Sequence, residues 1–181
     1  NLDQFIQQGV LLREDKPCLY IYRLTMNGKE QTGLVCCSSI DDYEKDRIKK
    51  HELTRPDKEQ DRIQHILTTG AQTGNVFLAY RNVQEIDELI DRWKNSHAAL
   101  YDFIAADGVG HTIWKIDDPA SLSQLTTLFA ERVPATYIAD GHHRAASAAK
   151  VRKQQAGKPA AEGQHFLTTL FPANQLHILD Y

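Results

Sequence analysis

The sequence lacks most of the features that would take it out of the class of ordinary globular domains. No apolar run approaches the ~20 residues a membrane-spanning helix needs, and no basic-then-apolar leader opens the chain. Neither charge dominates: 21 Lys and Arg stand against 24 Asp and Glu, a formal balance of −3. A basic field that would attract nucleic acid or an anionic membrane is therefore missing. Cysteine is scarce, with three residues and no CxxC spacing, which removes the usual signatures of a zinc site or a redox dithiol. Cys36 and Cys37 are adjacent, so on a strand their side chains point to opposite faces and cannot clamp one ion. Buried, reduced thiols in a cytoplasmic protein are the expectation. Internal repeats and low-complexity tracts are absent as well.

What is present is 181 residues, 41% of them hydrophobic, enough for one domain with a real core. The start on Asn1 and the strand-like ending "HILDY" read as a piece of a longer chain. Residues 1–50 read as a β-hairpin and lead-in, and 51–181 as the core of a single domain. "CLYIYRL" and "QTGLVCCSS" are β-rich runs around Asn27-Gly28, a pair suited to a tight hairpin turn. "DDYEKDRIKKHE" predicts a short helix running into a loop. Thr54 reads as an N-cap, with Pro56 in the first turn and Asp57 at the capping-box position. The helix that follows runs to about Gly70, with Ile63, Ile66 and Leu67 as its apolar stripe.

Further along, "NVFLAYR" predicts a strand and "VQEIDELIDRWKNSH" an amphipathic helix. "ALYDFIAADGVGHTIWKI" predicts two strands joined at Asp107-Gly108. "DPASLSQLTTLFAERV" is a helix begun by Asp118 or Ser121. "ATYIADG" is a strand, "HHRAASAAKVRKQQAG" a helix, "QQAGKPAAEG" a linker-like loop, and "QHFLTTLFP" and "QLHILDY" final strands. The interleaving predicts a mixed α/β or α+β fold.

The chemistry gathers at "YIADGHHRAASAAK", residues 137–150. A strand that ends in glycine and turns at once into a helix leaves the first helical N–H groups unpaired, pointing at one spot. The helix dipole adds partial positive charge, so such a spot binds anions, phosphate above all. Arg144, one turn in, offers a planar fork to the same anion. Asp140 would repel a phosphate unless a cation intervenes. Either it holds magnesium that also binds phosphate oxygens, or it caps the helix and touches no ligand. His142 and His143 diverge by about 100° around a helix, so they do not form a chelating pair. One is expected to face phosphate and the other to be satisfied in the core.

"DGHHR" followed by a small-residue helix resembles the phosphate-binding motif of the ParB/sulfiredoxin superfamily. That group contains partition nucleotide switches, sulfiredoxin and free-serine kinases. "GLVCCSSIDDYEKDRIKKHELTRPDKEQDR" together with "YIADGHHR" is similar to a broad bacterial family of domains of unknown function. Some of its members are labelled regulators of sporulation or partition. The resemblance implies a ParB/sulfiredoxin-like nucleotide-binding core with additional strands and helices. It also implies that Gly141, His142, His143 and Arg144 hold phosphates and that Asp140 holds Mg2+ through the nucleotide, ATP or ADP, or else CTP.

In free-serine kinases a histidine–glutamate pair precedes a helix, and its glutamate is the implied base for the substrate hydroxyl. By motif that role falls to Glu52, with His51 beside it. On the next helix Arg55, Lys58 and Arg62 form a positive stripe able to steer a polyphosphate. The alternative is a solvated face, interleaved with Asp57, Glu59 and Asp61.

Sulfiredoxin chemistry needs a cysteine where this chain has His142. Partition proteins add a helix-turn-helix reader, and no basic recognition helix is visible, so direct DNA binding is not expected. The resulting expectation is a Mg-dependent phosphotransferase acting on a small hydroxyl-bearing metabolite. The alternative is a nucleotide-responsive regulator without kinase activity.

Overall fold

A computed structural model of the protein describes residues 2–155 and 161–176. Six α-helices and eight strands lie within them, in the order α1 (Leu2–Gln7), β1 (Leu19–Met26), β2 (Lys29–Ser39), α2 (Ile40–Glu44), β3 (Ile48–Lys49), α3 (Pro56–Thr69), β4 (Val76–Tyr80), α4 (Gln84–Ser96), β5 (Tyr101–Ile104), β6 (Gly110–Ile116), α5 (Pro119–Arg132), β7 (Thr136–Asp140), α6 (His142–Gln154) and β8 (His165–Pro172). The fold is α+β. The expected strand in "QLHILDY" lies almost wholly outside the described residues, as does the middle of the "QQAGKPAAEG" loop.

Local chemistry explains most boundaries. Asn27 and Gly28 both take positive φ, 52° and 73°, the turn that matches the right-handed twist of the β1–β2 hairpin. Helix α3 stops at Gly70 in the left-handed region, with the glycine N–H bonded to the Ile66 carbonyl. Asp118 caps α5 by accepting the Ser121 N–H at 2.8 Å, with Pro119 in the first turn.

The strands form one mixed sheet in the order β3-β7-β4-β8-β2-β1-β6-β5. Cross-strand partners share a face, and the register places Trp114, Ile21, Leu34, Leu170, Leu78 and Ile138 side by side across six strands. All six are nearly inaccessible to solvent. The same cluster takes in Ile40 of α2, Ile86, Leu89 and Trp93 of α4, Leu125 of α5 and Ala145, Ala148 and Ala149 of α6. These helices therefore share one side of the sheet. The alanines let α6 come close, and α3 packs outside it. On the opposite face Thr169 and Phe171 of β8 are buried, while towards the β5 edge Tyr22, His111 and Phe103 stack at 5.9 and 5.1 Å between ring centres.

Cys36 and Cys37 do point to opposite faces, pairing with Thr168 and Leu167. The expectation of buried thiols holds only in part: Cys18 and Cys36 are part-covered and Cys37 is exposed. The apolar stripe of α3 is narrower than its spacing suggests. Ile63 is buried, Ile66 is half-buried, and Leu67 faces solvent.

Candidate functional site

Strand β7 ends on Asp140 and α6 begins on His142, leaving Gly141 alone to make the corner. Its φ of +101° lies where side chains are strained, and a Cβ there would sit 3.0 Å from two nitrogens of the Arg144 guanidinium. Gly74 bounds the same side chain, since a Cβ at 74 would stand 3.2 Å from Arg144 Cδ. Two glycines thus make the slot that Arg144 occupies. Its Nη2 donates to Asp140 Oδ2 at 2.5 Å, while its Nε is buried without a hydrogen-bond partner among the described residues.

No side chain caps α6 at Gly141, which leaves its first-turn N–H groups open to an anion. The capping alternative for Asp140 is thereby overturned. Its Oδ2 accepts from Arg144 instead, because a corner made by Gly141 alone puts residue 140 on the strand rather than at the cap.

The loop between β3 and α3 is held against this corner by the two histidines. His142 is 4% exposed and stands edge-on to His51 at 4.5 Å between ring centres. Its Nε2 accepts from the main-chain N–H of His51 at 3.5 Å, and its Nδ1 lies 3.1 Å from Glu52 Oε2. A ring that accepts at Nε2 carries its proton on Nδ1, which suits donation to the glutamate. Burial lowers the His142 pKa, and His51 adds to the effect while Glu52 opposes it. His143 turns the other way and accepts the Arg55 N–H on Nε2 at 3.1 Å. Both rings therefore act as clips on the main chain of residues 51–55. The divergence expected of helical neighbours is what lets them hold two separate points.

A third clip was not legible in the residue pattern. Glu59, read from sequence as part of a solvated face, is 4% exposed. Its carboxylate accepts from the Thr54 hydroxyl and from Lys150 of α6, and the Ser147 hydroxyl donates to its carbonyl at 3.2 Å. Lys150, followed by Thr54, holds the Glu59 pKa below the usual range. Thr54 is consequently not the N-cap. Arg55 occupies that position without a side-chain bond, because the threonine hydroxyl is drawn inward by Glu59. Nothing in the pattern signalled it, since Lys150 is an exposed residue of a helix that also carries Arg152 and Lys153.

Replacing Lys150 by methionine should cost about 1–3 kcal/mol at neutral pH, the range for stranding a buried charged acceptor. Glu59 binds a proton less readily folded than unfolded, so its contribution is complete above the unfolded value near 4.3 and fades as pH falls through the lower folded value. The gap between wild type and Lys150→Met in urea unfolding should therefore narrow at acidic pH. A gap independent of pH would show that the pair does not carry the effect.

The arginines of the predicted stripe are engaged locally. Arg55 pairs with Asp57 at 2.7 Å and Arg62 with Asp61 at 3.5 Å, all four groups exposed. Such pairs contribute little to stability, and among the described residues Arg62 has no hydrogen bond or ion pair to the Asp140–Arg144 corner. Glu52 keeps about three-fifths of its side chain in solvent, at 61%. The arrangement thus brings together an open helix start, an arginine and an accessible carboxylate.

Among the described residues, no three His, Cys, Asp or Glu are grouped to hold a metal ion, and no helix is long and apolar enough to cross a membrane. The chain belongs to the family described as "Protein of unknown function (DUF1015)", whose model matches residues 1–181. No curated protein and no solved structure matches it.

Proposed function

We propose that this domain is a ParB-like nucleotide-binding phosphotransferase that moves a phosphoryl group from ATP or ADP to the hydroxyl of a small metabolite. The observation that carries the reading is the double clip. His142 and His143 hold residues 51–55 so that a solvent-facing acid, Glu52, stands beside the uncapped start of α6. A phosphate seated there meets the first-turn N–H groups and the positive end of the helix. Arg144 adds a charged fork, in partial exchange for its bond to Asp140. Because both nitrogens of His142 face the loop, its main chain rather than its ring supplies the phosphate contact.

Asp140, 72% exposed at its side chain, fits a magnesium ion shared with the nucleotide, since that ion takes one or two carboxylates with phosphate oxygens and water. The metal would neutralise charge on the transferring phosphoryl group. Glu52 accepts the proton of the acceptor hydroxyl as its oxygen forms the new bond to phosphorus and the bond to the leaving nucleotide phosphate breaks. His142 donates to Glu52 and fixes its orientation, with His51 packed behind. Arg55 and Arg62, each already facing an acid, steer the nucleotide only weakly.

A nucleotide-responsive regulator is the second reading, favoured by the bond that Glu52 already makes to His142. In a switch, that contact would be a latch released when nucleotide seats on α6. The deciding assay measures nucleotide consumption against small hydroxylated compounds. Acceptor-dependent turnover supports the kinase; nucleotide binding without it supports the switch.

A further inference from the structure

The two edges of the sheet differ. β3 closes one with two residues, the second of them Lys49, and offers little to pair with. β5 closes the other with Tyr101–Ile104, exposed along its whole length. Tyr101, Phe103 and Ile104 each keep more than half of their surface in solvent. Edge strands of monomeric proteins are commonly blunted by lysine or proline. β5 has neither, and its one charge is drawn back onto its own sheet. Asp102 Oδ1 accepts from the Thr112 hydroxyl at 3.0 Å, and Arg23 donates to that hydroxyl at 3.3 Å.

The main chain of this edge is its own complement. At the hairpin end the Ala105 N–H bonds the Val109 carbonyl at 2.8 Å. Such positions alternate along an antiparallel pair, so Phe103 opposite His111 and Tyr101 opposite Ile113 turn their N–H and C=O groups to β6. Those of Asp102 and Ile104 point away from the sheet, where no strand lies among the described residues. In an antiparallel copy centred on Phe103, the free groups of Asp102 meet those of the partner's Ile104, and the reverse. A pairing centred on Asp102 would set two carboxylates directly opposite each other, which is destabilising. It would also call on Leu100, whose N–H is already given to the Ile113 carbonyl at 2.7 Å. A pairing centred on Ile104 would run into the turn closed by Gly108 N–H on the Ala105 carbonyl.

We propose that the β5 edge is an interface between two copies of this chain, β5 pairing antiparallel with β5 about a two-fold axis at Phe103. The occupant is a second copy because spacing, free hydrogen-bonding groups and charge all fit this same edge, an isologous contact. Half of an aromatic side chain is on the order of 100 Å². The exposed side chains and the main chain between them bring the pair to roughly 1,000 Å², the size of a reversible contact rather than a permanent one. β7 lies six strands away in the sheet order, about 29 Å, so the α6 corner stays open in both copies.

Sedimentation velocity should show monomer giving way to dimer as the wild-type chain is concentrated from micromolar towards millimolar. Ile104→Pro should abolish the dimer without lowering the melting temperature, because the N–H it removes faces outward and β6 does not use it. Disulfide trapping tests the register in a Cys37→Ser background, which removes the exposed native thiol. Under mild oxidation Phe103→Cys should cross-link to its own copy, since residues directly opposite stand ~4.5–5.5 Å apart at Cβ. Asp102→Cys, also exposed, should not. A chain that stays monomeric throughout, or a dimer untouched by Ile104→Pro, would overturn the interface, and the trap decides it should the proline variant fail to fold. Cross-linking through Asp102→Cys in place of Phe103→Cys would overturn the register.

Discussion

Replacing Glu52 by glutamine should leave nucleotide binding in place and slow phosphoryl transfer by roughly 10²–10⁴-fold, the usual contribution of a general base. The substitution is a clean one for geometric reasons. His142 donates to Glu52 through Nδ1, and a glutamine oxygen can still accept that bond, though more weakly than a carboxylate; the Nε2 contact to the His51 N–H keeps the loop clipped to α6. His143 and Glu59 hold the same loop independently. What glutamine cannot do is take the acceptor's proton. The readout is nucleotide consumption with a panel of small hydroxylated metabolites, wild type beside variant. Equal turnover in both would remove Glu52 from the chemistry. Acceptor-independent behaviour in both, with binding retained, would favour the regulator.

Loss of the Arg144 guanidinium should weaken nucleotide binding by about 1.5–3 kcal/mol, the range for a hydrogen bond to a charged group, or about 10- to 150-fold. Arg144→Ala removes the side chain lodged between Gly74 and Gly141 and frees Asp140 from its ion pair. Arg144→Lys should recover only part of the loss, because an ammonium lacks the planar fork. Calorimetry with ATP and magnesium measures both. Affinity unchanged in Arg144→Ala would discard the α6 corner as the seat.

The corner itself was legible because its causes are local. Glycine after a strand, followed by a run of alanines, dictates a tight turn and a close-packed helix whatever the rest of the chain does. Asn27-Gly28, Asp118 and Gly70 were legible on the same grounds. The clips were not, since they join residues about 90 positions apart through main-chain N–H groups that leave no mark on residue type. Thr54 shows the limit well. Two residues before Pro56 it has the composition of a helix cap, yet a buried glutamate five residues on claims its hydroxyl. Glu59 misled for the converse reason, because an acid among exposed acids looks solvated until Lys150 arrives from another helix. The free β5 edge depends on strand order and could not be read from periodicity at all.

The central claim is that nucleotide phosphates seat on the first turn of α6, and the backbone amide spectrum of the isotopically labelled protein tests it most directly. Titration with ATP and magnesium should move the amide resonances of His142, His143 and Arg144 most, with His51 and Arg55 following through their histidine clips. Shifts that saturate elsewhere on the molecule, or a spectrum unchanged at millimolar nucleotide, would contradict it.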